Sequence, residues 1–185
     1  WEMTMNDSEQ CMATQVPEII TAPPLNFGVI WKKHPHNGHY VVGLSGTQAY
    51  EFYGPWDTKE YMDYDSQRAC KAVLEKGGRY VLWPACEEDA PEILQRGEYF
   101  NGENAIKVRS KPSQCHRNSA DMWVRHPDDY TITTGYALSD DGIWRQHTWL
   151  IRNDGAVIET TVRRIGYYGF RLSTSESWFF LSNNR

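Results

Sequence analysis

A chain of 185 residues has the length of one ordinary domain and can bury a core without disulfides or metal to hold it. Its 40% hydrophobic and 14% aromatic content, with eight Trp, excludes a disordered chain. The net charge is −5 and Lys and Arg are scattered, which excludes a phosphate-tracking nucleic-acid binder; no apolar stretch approaches the roughly 20 residues of a membrane helix.

Residues 1–26 are polar and then punctuated by Pro17, Pro23 and Pro24, which predicts a peripheral arm in front of a single α+β domain over 27–185. The arm carries acidic residues and no apolar signal-peptide core, so the chain reads as soluble. Its four cysteines, Cys11, Cys70, Cys86 and Cys115, form no CxxC pair, and their wide spacing points to reduced thiols and a cytosolic setting.

Strand-like runs at 27–31, 39–44 and 49–53, separated by turn clusters such as Pro35-His36-Asn37-Gly38, predict a small antiparallel sheet. A helix is expected over 66–76, where Ala69, Cys70, Val73 and Leu74 recur at helical spacing and Gly77-Gly78 stops the run. A short strand at 80–83 follows, then an acidic segment over 87–98 that reads as a solvated helix or loop. After Pro112 come a turn, a helix of about a dozen residues and four strand-like runs, at 130–138, 143–151, 156–165 and 167–172.

The chemistry concentrates in 110–172. Cys115 falls at the start of the helix between Pro112 and Pro127, where free N–H groups and the positive end of the helix dipole stabilise a thiolate. A nucleophilic Cys needs a base brought close by the fold, and His147 is the candidate, in a strand-like run flanked by Trp144 and Trp149. Strand alternation puts His147, Trp149 and Ile151 on one face.

The turn Arg152-Asn153-Asp154-Gly155-Ala156 then decides whether an acid can reach the imidazole. A two-residue turn sends Glu159 to the face opposite His147. A three-residue loop, with Gly155 left-handed, pairs Arg152 with Ala156 and Trp149 with Glu159, which places Glu159 diagonal to His147 on its own face. The three-residue register is the one expected. Gln114, His116 and Asn118 stand near enough to Cys115 to contact substrate or hold an oxyanion, and Trp144 and Trp149 to wall the pocket.

The order Cys115 at a helix start, then His147-Thr148-Trp149, then Glu159-Thr160-Thr161, resembles the core of transglutaminase-like and papain-like cysteine enzymes. The resemblance implies a helix carrying the Cys packed on an antiparallel sheet, with Cys115 as nucleophile, His147 as base and Glu159 as the acid that orients it. Glu departs from the Asp or Asn more usual at that third place. The implied reaction is hydrolysis or acyl transfer on an amide through a thioester, as in proteases, amidases, deamidases and transglutaminases, on a protein or peptide substrate and without a cofactor or metal. The competing expectation is a non-catalytic interaction or inhibitory module that uses an aromatic cleft on the same fold. His34, His36 and His39 cluster around a turn but lack a Cys or carboxylate at ligand spacing, so a solvated turn is expected there.

Overall fold

A hairpin at the centre of the chain organises the rest of the computed structural model, which describes residues 29–34, 39–44, 63–84 and 87–184. Its two strands are Tyr130–Leu138 and Ile143–Arg152, paired antiparallel over nine residues from Tyr130↔Arg152 to Leu138↔Trp144. The turn follows from Ser139-Asp140-Asp141-Gly142: Asp141 Oδ1 accepts the Ile143 N–H at 3.0 Å, and Gly142 takes the left-handed φ of 79° that few other residues tolerate. Residues 132–138 and 147–151 are all buried, as in strands covered on both faces.

In chain order the elements are β1 (Val29–His34), β2 (His39–Leu44), α1 (Tyr64–Leu74), β3 (Tyr80–Pro84), α2 (Ala90–Arg96), β4 (Glu98–Asn101), β5 (Ile106–Lys107), α3 (Cys115–Arg125), β6 (Tyr130–Leu138), β7 (Ile143–Arg152), β8 (Val157–Glu159), β9 (Gly166–Arg171) and α4 (Thr174–Asn184). The strands form one sheet in the order β1-β2-β3-β7-β6-β9-β4, with β8 pairing β7 and β5. The chain is α+β, as expected, but the sheet is mixed: β3 runs parallel to β7 and β5 parallel to β8, and the other ladders are antiparallel. The upstream strands, read from the sequence as a small sheet of their own, thereby join the downstream one through β3. Among the described residues no helix is long and apolar enough to cross a membrane.

Other elements depart from the expectation or add to it. The run 156–165 is not one strand, because β8 stops at Glu159 and residues 160–165 are irregular. The acidic segment takes the helical of its two expected forms as α2, which begins after Asp89 with Pro91 in its first turn, but it buries Ala90 and Ile93 and is followed directly by β4. A C-terminal helix, α4, was not anticipated. The 1–26 arm, the run 49–53, His36, Cys11 and Cys86 lie outside the described residues, as do the side chains of His34 and His39.

The two faces of the central strands bury different material. On the Thr148 and Leu150 face, Ala120 and Trp123 of α3 pack with Ile132, Leu150, Ile158 and Leu181. On the His147 face, Ala137, Trp149, Ile151, Val157 and Tyr167 cluster with Ala105 and the half-buried Phe100. Each of these buried side chains contributes roughly 1.5–3 kcal/mol relative to exposure.

The row His147, Gly135, Gly169 crosses β7, β6 and β9. A methyl added at Gly169 would collide with the Thr134 carbonyl, and one at Gly135 with the Tyr168 carbonyl, so the two glycines let β6 and β9 approach beside His147. Gly169→Ala should therefore cost about 1–3 kcal/mol, read as a lower midpoint in urea unfolding; an unchanged midpoint would mean that the strands can part without penalty.

Candidate active site

The edge of β7 opposite β6 is covered in two pieces. β3 pairs with residues 143–145 and β8 with residues 150–151, so the backbone between them is left for another partner. The first turn of α3 fills this gap. The Thr148 N–H points at the Cys115 sulfur, Ser119 Oγ donates to the Thr148 carbonyl at 3.4 Å, and Asn118 Nδ2 donates to the Lys111 carbonyl at 2.7 Å and the Thr160 carbonyl at 3.4 Å. A break in the ladder thus fixes where the helix N-terminus sits.

Cys115 is the first residue of α3, half-buried and unpaired as a disulfide. Gln114 precedes it without a capping bond and Ser113 is left-handed at φ 57°, a conformation that non-glycine residues hold at a cost. The first helical turn contains no acidic residue to compete with a thiolate. Burial pushes the thiol pKa up, but hydrogen bonding to His147, the His147 charge, and the backbone N–H groups of Thr148 and His116 outweigh it. The net shift is downward.

His147 is 2% exposed and Glu159 is fully buried. His147 Nε2 lies 2.9 Å from Glu159 Oε2, which leaves Nδ1 as the ring nitrogen that faces the thiol. The hairpin register makes this contact possible. Leu150 pairs with Ile158 and Ile151 with Val157, the Arg152 N–H donates to the Ala156 carbonyl at 2.9 Å, and Gly155 is left-handed at φ 86°. This is the three-residue loop that the sequence favoured, and it puts His147 and Glu159 on one face.

Both Glu159 oxygens are satisfied. Oε2 also accepts the Tyr167 hydroxyl at 2.9 Å, and Oε1 accepts the Thr161 N–H at 2.6 Å and its hydroxyl at 2.8 Å. Burial raises the Glu159 pKa, but the hydrogen bond and charge of His147 and the Thr161 donors overcome this and hold it below the usual carboxylate range. For His147, burial disfavours the imidazolium, and the bonds and charges of Cys115 and Glu159 reverse that effect and raise its pKa. Burial and the Glu159 charge push the Tyr167 phenol far up, so it stays an O–H donor.

The imidazole of His147 is also held by its neighbours. It stacks on Trp149 with centroids 6.4 Å apart and planes 14° from parallel, and on Tyr167 at 6.1 Å and 26°. Trp149 is fully buried and serves as the wall behind the ring rather than as a surface open to substrate.

The remaining candidates separate. Trp144 points to the other face of β7, donates to the Gly77 carbonyl at 2.7 Å and belongs to the core around Val73 and Trp83, away from the sulfur. Asn118 is buried with its amide committed to Lys111 and Thr160, so it ties the loop before α3 to the end of β8 and is not free to meet an oxyanion. Gln114 is exposed at the helix start. His116 turns from the nucleophile to Thr148, with Nδ1 at 2.5 Å from Oγ1, and rests its ring on Phe180 at 5.8 Å. Burial and the nearby His147 lower its pKa, so His116 stays neutral beside the site.

Tyr167, Thr161 and Thr148 are the contributors that sequence reasoning passed over. Thr161 and Thr148 stood inside the quoted motifs without a role; a hydroxyl two residues from a buried acid was the readable signal for the first. Tyr167 reaches Glu159 only through the pairing of β9 with β6, which no local pattern announces. The other described cysteine, Cys70, lies fully buried in α1, where burial and the charges of Glu87 and Asp63 push its thiol pKa well up. Compared with known proteins, the chain matches no family model, no curated protein and no solved structure.

Proposed function

We propose that this protein is a cysteine hydrolase or acyltransferase that acts on amides through Cys115, His147 and Glu159. It is built on a core of the transglutaminase-like or papain-like kind. The observation that carries the proposal is the contiguous chain of contacts in which a thiol at a helix N-terminus bonds His147, whose far nitrogen is held at 2.9 Å by a fully buried, four-bonded Glu159. A merely structural His rarely needs both an acid behind it and a half-exposed thiol in front.

In the first half-reaction the Cys115 thiolate attacks the amide carbonyl carbon, and the electron pair moves to the carbonyl oxygen. The Cys115 backbone N–H, the first of α3 and without an intrahelical acceptor, is placed to hold this oxyanion, with the exposed Gln114 amide beside it. Collapse of the tetrahedral intermediate breaks the C–N bond, and His147 gives its proton to the departing amine. A thioester remains on Cys115. Water or a second amine then attacks it, His147 takes the incoming proton, and the thiolate leaves. Glu159 stays ionised and keeps the imidazole in the tautomer and orientation both steps need.

The test is a pool of short peptides incubated with the protein in H₂¹⁸O, with and without a primary amine. Products one oxygen-18 or one amine heavier at a carbonyl are expected, together with a covalent adduct on Cys115 after trapping with a peptide aldehyde. Both signals should vanish in Cys115→Ala. Products that persist in Cys115→Ala, or a Cys115 that takes up no electrophile, would overturn the proposal.

A further inference from the structure

Next to Phe180, which carries the His116 ring, lies a cavity of about 460 Å³ whose lining includes Thr134, Phe170, Phe180, Asp89, Glu92 and Glu176. Resting on the Cys115 reading, we infer that this cavity is a subsite for a cationic side chain, Lys or Arg, that flanks the amide attacked by Cys115.

The cavity adjoins the nucleophile through two routes of contact. Thr134, on its wall, receives the Thr148 hydroxyl at 3.3 Å, and Thr148 directs its N–H at the Cys115 sulfur. Phe180, on the same wall, carries the ring of His116, the residue next to Cys115. Cys115 itself is not among the residues that line the cavity. The cavity therefore holds a neighbouring side chain and not the acyl carbon itself. Its volume is that of a small-ligand site, within the range of about 300–1,000 Å³.

The lining decides what fits. Phe179 and Phe180 offer faces for an aliphatic stem or a flat cation, as the buried Phe170 already does for the Arg96 guanidinium at 5.1 Å from its centroid. Of the three carboxyls, Glu92 and Glu176 are spent on Arg96, at 2.9 Å and 2.7 Å. Asp89 remains. It opens α2 without making a capping bond, and among the described residues its carboxyl has no hydrogen-bond or ion-pair partner.

The groups that act on Asp89 are burial first and then Glu87, Glu88, Glu92 and Glu176, which together raise its pKa to about 6. Among the described residues no cation is paired with Asp89 to offset them. A Lys or Arg side chain would supply one, and the affinity for it should fall as pH drops through about 6 and Asp89 takes up a proton.

The experiment compares alkylation of Cys115 in the full chain by N-(5-aminopentyl)chloroacetamide and by its neutral analogue N-pentylchloroacetamide. In each case the thiolate forms the S–C bond and expels chloride. Each rate is divided by that of chloroacetamide on the same protein, and the site is identified by peptide mass. The cationic reagent is expected to react about tenfold faster than the neutral one near neutral pH, equivalent to about 1.4 kcal/mol. The ratio should fall towards one at pH 5, fall to near one in Asp89→Asn, which keeps the side-chain shape without the charge, and survive in Asp89→Glu. A ratio near one in the unaltered protein, or one that persists in Asp89→Asn, would overturn the inference. Chloroacetamide reacting at Cys115 no faster than with a free thiol would instead sink the Cys115 reading on which the inference rests.

Discussion

Iodoacetamide should label Cys115 at pH 6 at a rate that falls at least about tenfold when His147 is replaced by Ala. The reasoning starts from ionisation. An ordinary thiol near pKa ~8.5 is less than about 1% thiolate at pH 6, and only the thiolate attacks. Cys115 departs from that in the reactive direction: its burial is outweighed by the hydrogen bond and charge of His147 and by two backbone N–H groups. Removing the imidazole deletes the largest of those favourable contributions and leaves the penalty of burial. The residual advantage of the Thr148 and His116 N–H groups keeps the loss from being total, and the lower intrinsic nucleophilicity of a low-pKa thiolate moderates it further.

The pH profile separates this from a general loss of structure. In the unaltered protein the acid limb of the labelling curve lies below the ordinary thiol range, and in His147→Ala it moves up while the plateau at high pH is no lower than before. Cys70 is the internal control. Fully buried, with its thiol pKa raised by burial and by Glu87 and Asp63, it stays unlabelled until the chain unfolds. Labelling of Cys115 that follows an ordinary thiol titration in both proteins would leave no activated pair.

How such a site is written into a sequence differs from part to part. The hairpin between β7 and β8 was readable because Asn153-Asp154-Gly155 admits few turns, and a glycine able to take φ 86° selects the register that places Glu159 beside His147. The position of Cys115 was equally local, set by the prolines that bound α3 and by its apolar spacing.

What escaped was non-local. Parallel pairing of β3 with β7 brings strands some sixty residues apart in sequence side by side; no neighbouring residue reports such a contact. That pairing creates the gap in which α3 docks, so the reason Cys115 meets His147 was hidden even though both residues were visible. The premature end of β8 has a side-chain cause. Glu159 Oε1 takes the Thr161 N–H at 2.6 Å, which diverts the backbone from a ladder that the alternation of 156–165 would otherwise suggest. The helix α4 was missed because Trp178-Phe179-Phe180-Leu181 is an unbroken apolar run with no helical spacing, and Trp178 and Phe179 indeed remain exposed. Trp144 shows the opposite error: it shares the strand with His147, but alternation sends it to the far face, where it seals the core against Gly77.

Glu159→Ala should destabilise the fold by about 3–5 kcal/mol, because it leaves a buried imidazolium partner, the buried Tyr167 hydroxyl and the half-buried Thr161 donors without their acceptor. Glu159 is fully buried and accepts from His147, from Tyr167 and twice from Thr161. Glu159→Gln keeps the shape and part of the hydrogen bonding, so its loss is smaller, and the difference between the two variants isolates the charge. The pH dependence gives that charge a sign. Glu159 titrates below its ordinary value when folded, so its contribution is present above the unfolded carboxylate pKa of ~4.3 and is lost as pH falls through the folded value. His147 titrates above its ordinary value, so its contribution is complete below ~6.5 and is lost as pH rises through the folded value. The stability gap between the unaltered protein and Glu159→Gln, measured by urea unfolding across this range, should be widest between those limits and narrow on both sides. A gap that does not vary with pH would mean that Glu159 serves only as a neutral acceptor for Tyr167 and Thr161, and that the imidazole in front of Cys115 is not held as half of an ion pair.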